Sequence, residues 1–367
     1  MLSPWLELPG VAEQLARYGE LAQLDLTRLG TTAGAEEIVD TAVTQPLIVA
    51  AGLITAGQLG LADLAPDSVL SAGHSIGEVT AAAVAGALTD EAAMVFAARR
   101  GREMAAACEL TPTTMAAALG GTEETVVAAI VGARCVPANR NGAGQIVAAG
   151  SRENIQKLVD NPPAGVRFRT LAVAGAFHTE YMAPAEQALR GVEVELADPR
   201  QILLSNADGT TVSSGKVMLN RLIAQVTRPV RWDLCLSTMR SVGVSATIEL
   251  CPAKTLTGIA KRELPDVQLL AIKTPDDLAA ARQLLGQAAP RTPGPDGIEI
   301  FSSAQGIFTR AQGLAAGTAV RAGCRIGSIR TNADDIAVVA PASGTLSAWL
   351  RHDGDMLEAG LPVARLA

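Results

Sequence analysis

The stretch that decides the fold is Val69-Leu70-Ser71-Ala72-Gly73-His74-Ser75-Ile76-Gly77-Glu78. An apolar run enters it and an Ala-rich run over residues 79–88 leaves it. A strand, a tight turn and a helix are what a G-x-S-x-G nucleophile elbow requires. The flanking glycines let the backbone turn sharply and lift the Ser75 oxygen above a sheet. The amide of Ile76 then stands at a helix start, where it can stabilise an oxyanion. The reading is acyl transfer through Ser75. The competing reading is coincidence, since two glycines around a serine recur readily in a chain with 35 glycines.

Outward from the elbow, short Val/Ile/Leu runs alternate with helix-period segments to about residue 285, which predicts α/β architecture with a parallel-sheet core. Strands are expected over 68–72, 115–119, 145–149, 169–173, 202–205 and 246–250. Helices are expected over 36–59, 75–88, 89–108, 152–159, 183–190 and 214–226. Thr89-Asp90-Glu91 places a capping hydroxyl and two acids at a helix start.

The 367 residues allow about two or three domains, and 49% hydrophobic content supplies an ample core. A net charge of −7 argues against nucleic acid and against an anionic membrane surface. Glu7 and Glu13 interrupt the region where a secretory signal would need an apolar core, and residues 46–61 read as a buried helix. Five scattered cysteines without metal-ligand spacing read as reduced thiols of a cytoplasmic protein, with no metal and no cofactor.

Serine is a weak nucleophile and needs a base. The chain has three histidines. His74 lies within the elbow, too close to aim its ring at Ser75, and His352 sits in a polar turn. His178 follows a strand and a loop, where open parallel sheets place active residues, although a core or surface histidine is the plain alternative. Arg99-Arg100-Gly101-Arg102 reads as a solvated helix face, but one guanidinium turned toward the serine would select a substrate with a free carboxylate. Asn139, Asn141 and Gln145 alone read as turn residues.

Taken together these residues resemble the malonyl-CoA:acyl-carrier-protein transacylase family over roughly residues 1–275. Gly73–Glu78 carries the resemblance with Arg100-Gly101 and Met104, Asn141-Gly142-Ala143-Gly144-Gln145, Ala176-Phe177-His178 and Gln225-Val226-Thr227-Arg228-Pro229-Val230-Arg231-Trp232. Thr44-Gln45-Pro46 and Leu256-Thr257-Gly258 also fit. The resemblance implies that Ser75 carries a malonyl ester, that His178 is base and then acid, and that Arg100 binds the malonate carboxylate. It implies an oxyanion donor at Ile76, a backbone carbonyl near Gln225 that orients the histidine in place of an acidic third member, and substrate contacts at Met104, Asn141, Gln145 and Phe177. The Phe177-His178 pair implies malonyl over methylmalonyl. Malonyl-CoA and acyl carrier protein are the implied partners.

The implied fold is a hydrolase-like core over 1–111 and 175–287, with a ferredoxin-like insertion at 112–174. A linker is expected at 288–297 and a small all-β domain at 298–367. Residues 317–326 and 354–363 repeat one another, which predicts a pseudo-twofold β sandwich. That tail resembles a biotinyl/lipoyl-type domain. Ala333 stands in the carrier lysine's place, and no lysine follows Lys273, so the module is expected to be degenerate.

Two departures from the family affect expectation. The family's opening strand and Gly-Gln-Gly-Ser-Gln signature, whose first Gln amide completes the oxyanion hole, have no counterpart here, so truncation with weak activity or solubility is expected. Cys251-Pro252-Ala253 replaces a Gly-Pro-Gly, at little consequence. Two other readings stay open: an esterase or thioesterase with the same elbow and an acid such as Asp160, and a catalytically weak scaffold of a fatty-acid or polyketide complex.

Overall fold

A computed structural model describes residues 1–66, 68–286, 297–302, 304–331, 335–358 and 360–367. The expected linker residues 288–296 and Ala333 lie outside these.

The largest apolar core gathers around the helices Thr41–Leu59 and Asp90–Leu110. The first is apolar on all sides and two-thirds buried, which makes it an internal strut; by length and composition it is the one helix, among the described residues, apolar enough to cross a membrane. The helix expected over 36–59 is two helices, Ala35–Ile38 and Thr41–Leu59. Asp40 divides them because its carboxylate accepts from the Ala42 amide at 2.8 Å, the N-cap bond that starts a new helix. Thr89 caps Asp90–Leu110 in the same way, accepting from Ala92 at 3.1 Å.

The parallel core consists of two separate pairs. Leu70–Ser71 runs parallel with Ile202–Leu203, and Ala246–Glu249 with Gln268–Ala271. The pairs share a core without sharing a ladder: Leu70, Ala72, Val244 and Leu269 pack on one cluster with Trp232 and Leu236. The first pair leads directly into the elbow.

Residues 113–170 form a βαββαβ run. Its strands order as Arg167–Thr170, Thr113–Leu119, Ile146–Ser151, Val136–Arg140, and the sheet is extended by Val230–Arg231 from outside the run. That added strand ties the run to the segment that follows Gln225.

The tail forms two four-stranded sheets. One orders Ile298–Phe301, Pro362–Leu366, Gly344–Trp349, Ala319–Val320; the other orders Asp335–Val339, Arg325–Arg330, Gly306–Arg310, Met356–Leu357. Exchanging the first four strands for the last four converts one order into the other, so the sequence repeat reappears as a twofold in the pairing. The tail sits on the core: Val242 is buried in the tail's apolar cluster with Leu70 and Val244 against it, and the Ser213 hydroxyl donates to the Ala337 carbonyl at 2.8 Å.

Candidate active site

Ser75 occupies the turn between Leu70–Ser71 and the helix Gly77–Val84. Its φ is +53°, a left-handed angle that costs a side-chain-bearing residue and recurs at functional turns. The turn closes only because residue 73 is glycine: a Cβ there would stand 2.0 Å from the Gly77 carbonyl oxygen. Asn206, buried past the end of Ile202–Leu203, fastens both sides of the turn. Its Oδ1 accepts from the Ser75 amide at 2.8 Å and its Nδ2 donates to the Gly73 carbonyl at 2.7 Å. Ile76 is the residue immediately before the helix, so its amide lies at the positive end of the helix dipole.

His178 lies in the loop after Arg167–Thr170, 3% exposed and also at a left-handed φ, +61°. Its Nδ1 faces the Gln225 carbonyl at 2.8 Å and its Nε2 faces the Ser75 hydroxyl at 2.8 Å. A carbonyl only accepts, so Nδ1 carries the proton and Nε2 presents its lone pair to the serine O–H. Burial, and next the Arg100 charge, push the imidazole down to about 3, so it stands neutral, with the Nε2 lone pair facing the serine hydroxyl.

Arg100 projects from Asp90–Leu110 and is 1% exposed. Nη1 donates to Gln45 Oε1 at 2.6 Å, and Nη2 donates to Gln225 Oε1 at 3.0 Å and to Ser75 Oγ at 3.3 Å. Its Nε is buried without an acceptor. Burial lowers its pKa to about 10, which leaves it charged at neutral pH. Among the described residues no carboxylate lies in ion-pair range of it, so this is a buried cation held by neutral acceptors beside a nucleophile. A charge buried in this way is one that an anion from outside could complete. The neighbouring arginines behave as a solvated face: Arg99 pairs with Glu103 at 2.9 Å, and Arg102 is exposed and donates to the Ala22 carbonyl.

The other sequence candidates are less central. Met104 is buried one helical turn past Arg100, its sulfur accepting from Gln45 Nε2 at 3.4 Å. Asn141 Oδ1 bonds His74 Nε2 at 2.8 Å, and its Nδ2 donates to Gln145 Oε1 at 3.4 Å. His74 thus turns away from Ser75, edge-on to Trp232. Phe177 is half-buried beside His178. His352 is exposed. Asp160 is exposed and accepts from Gln156, far from any role as a partner of His178.

Sequence reasoning missed Asn206, the Gln45 and Gln225 side chains, and a role for Glu78. Asn206 carried one usable signal, a polar residue just beyond a strand's C-terminal end. A hydroxyl, a neutral imidazole and a guanidinium with no ion-pair partner among the described residues, meeting at one oxygen, can make and break an ester whose acyl group carries an acid.

The acyl transferase domain family model matches residues 20–287. Malonyl CoA-acyl carrier protein transacylase of Mycobacterium tuberculosis is 53% identical over 281 residues, covering 76% of this chain and 93% of that protein. The protein of that description from Mycolicibacterium smegmatis is 51% identical over 290 residues, covering 77% of this chain and all of that protein. The crystal structure of MCAT from M. tuberculosis superposes with a TM-score of 0.73 at 51% identity, over 77% of this chain and 94% of that one. A complex of a type II PKS acyl-carrier protein with its malonyl-transacylase superposes at 0.72 with 28% identity, over 77% of this chain and 94% of that one.

Proposed function

The chain belongs to the acyl transferase domain family, and we propose that this enzyme moves a malonyl group from coenzyme A to the phosphopantetheine thiol of an acyl carrier protein through an ester on Ser75. One observation carries the reading: the Ser75 hydroxyl lies 2.8 Å from a neutral imidazole nitrogen and 3.3 Å from a buried guanidinium that, among the described residues, has no carboxylate partner.

His178 Nε2 takes the serine proton as Ser75 Oγ attacks the thioester carbonyl. The resulting imidazolium is held by its Nδ1–H on the Gln225 carbonyl. The oxyanion is met by the Ile76 amide at the helix start. Collapse expels the coenzyme A thiolate, which takes the proton back from His178. Arg100 holds the malonyl carboxylate throughout, so the acyl chain cannot swing away from the serine. The carrier's thiol then repeats the sequence in reverse. Phe177, Asn141 and Gln145 are the candidates for contact with the incoming acyl thioester, with Phe177 next to the histidine disfavouring a branched acyl group, whereas Met104 is buried and backs the Gln45 side chain that holds Arg100.

A hydrolase-type triad lacks support, because the second imidazole nitrogen faces a peptide carbonyl and Asp160 is solvent-facing. We read residues 112–174 as a ferredoxin-like insertion and 298–367 as a biotinyl/lipoyl-type module without its carrier lysine; the twofold strand order supports the latter. Detection of bound biotin or lipoate would overturn it. All five cysteines are unpaired, in keeping with the cytoplasm.

Incubation with radiolabelled malonyl-CoA tests the function. Label should appear on Ser75, chase onto holo acyl carrier protein, and be absent from Ser75→Ala. Arg100→Ala should cost malonyl transfer roughly 3–5 kcal/mol of transition-state stabilisation while sparing acetyl transfer. A wild-type protein that retains no label, or an Arg100→Ala variant with unchanged malonyl preference, contradicts the assignment.

A further inference from the structure

One buried acid next to this site has no part in the chemistry above. Glu78 sits in the first turn of Gly77–Val84 and is 1% exposed. Its Oε1 accepts from the Asn206 amide at 2.6 Å, and its Oε2 accepts from Gln225 Nε2. Both partners also touch the reacting groups. The Asn206 side chain holds the Ser75 amide, and Gln225 Oε1 receives Arg100 at 3.0 Å. The carboxylate is therefore one amide away from the guanidinium and one residue away from the elbow.

The order of atoms along this chain is not free. A carboxylate only accepts and a guanidinium only donates, so the amide between them must turn its NH2 to Glu78 and its oxygen to Arg100. Gln225 Nε2 also donates to Asn206 Oδ1, at the longer distance of 3.3 Å, so Glu78 holds the amide together with Asn206. With a neutral partner at position 78 only that longer bond would keep the amide from reversing and aiming its NH2 at Arg100. Two donors would then oppose one another in a buried site, and the guanidinium would have to move.

Building on the acyltransferase reading, we propose that Glu78 is a positioning residue. It fixes the Gln225 amide in the orientation that offers Arg100 an oxygen, and so holds the guanidinium beside Ser75 where a substrate carboxylate is bound. The charge of Glu78 also opposes that of Arg100 through the intervening amide. The consequence is specific: selection for an acyl group with a free acid depends on Glu78, whereas transfer of an acyl group without one does not.

The test is a double-mutant cycle read as selectivity. Acylation rates of Ser75 with malonyl-CoA and acetyl-CoA are measured at limiting substrate at pH 8 for wild type, Glu78→Gln, Gln225→Ala and the double variant. Gln225→Ala removes the amide and keeps the backbone carbonyl that orients His178. Each single variant should lower the malonyl-to-acetyl ratio about tenfold or more, and the double variant should fall no further than the singles, because both break one relay. Unchanged ratios, additive losses, or equal loss with both substrates would overturn the proposal. Should Glu78→Gln fail to fold, as judged by circular dichroism, Gln225→Ala decides alone: a wild-type ratio there overturns it. If wild type is not acylated by malonyl-CoA, both this proposal and the functional reading fall. If wild type prefers malonyl and the variants do too, only the role of Glu78 is lost.

Discussion

At the scale of single residues, the base and the cation of this site are tuned against each other. His178 is pressed down to about 3 by burial and then by Arg100, and a base so weak abstracts a proton poorly. On the proposed mechanism a malonyl carboxylate seated on Arg100 would compensate the second of these pressures, so the substrate would raise the basicity of the histidine that deprotonates Ser75. Pre-steady-state acylation should show this. The acid limb of the profile at saturating malonyl-CoA should therefore lie at higher pH than the limb at limiting malonyl-CoA, which reports the free enzyme. Coincident limbs would contradict the coupling. Ser75 and His178 stood out in the sequence, one in a short motif and the other as one of three histidines, whereas Arg100 read by itself as part of a solvated face and, like the Gln225 carbonyl, was singled out only by the family resemblance. Asn206 and Glu78 were not legible, because their meaning lies in pairings with residues 131 and 128 positions away, which no spacing rule reaches.

At the scale of elements, the two glycines of the elbow differ although the motif treats them alike. A Cβ at Gly73 would collide with the backbone of Gly77, whereas one at Gly77 would meet nothing within 4 Å, and Gly77 has an ordinary helical start. Gly73→Ala should therefore lose more than about 3 kcal/mol of folding stability, as a steric clash with backbone has no flexible side chain to relieve it. Gly77→Ala should stay within about 1 kcal/mol of wild type, since alanine is the better helix former. Urea denaturation midpoints check both, and equal losses would show that the close approach at residue 73 is not the constraint. The strand-turn-helix order around Ser75 was readable from composition, but its lengths were not. The expected five-residue strand over 68–72 pairs over only Leu70–Ser71, because a ladder ends where its partner does, at Leu203. Likewise the start of Thr41–Leu59 could not be found from periodicity in a helix apolar on every side; the cap at Asp40 sets it.

At the scale of the whole molecule, the sequence foretold α/β content, the βαββαβ segment's strands in part, and the repeated halves of the tail. It was silent on how they meet, since Val242 and Leu70 reach the tail's core only through the three-dimensional path of the chain. The same holds for a property of the entire fold, its response to acid. Burial raises Glu78 from 4.5 to about 7, opposed by its hydrogen bonds and by Arg221 and Arg100, while it depresses His178 from 6.5 to about 3. Between about pH 4.5 and 6.5 the folded site holds one proton, on Glu78, and the unfolded chain also holds one, on the histidine. The two slopes cancel, and the pair contributes no pH dependence in that window. Removing either member exposes the other. In Glu78→Gln the unfolded chain binds one more proton than the folded, so stability should fall relative to wild type by about 1.4 kcal/mol per pH unit as pH drops through the window. In His178→Asn the folded state binds one more, and stability should rise by the same slope as pH drops from about 6.5 to 4.5. Denaturant unfolding of the three proteins across this range gives the differences directly, with every other titrating group common to all. Parallel curves for wild type and both variants would mean that neither group changes its protonation on folding, and the buried acid and base would have to be ionised alike in both states.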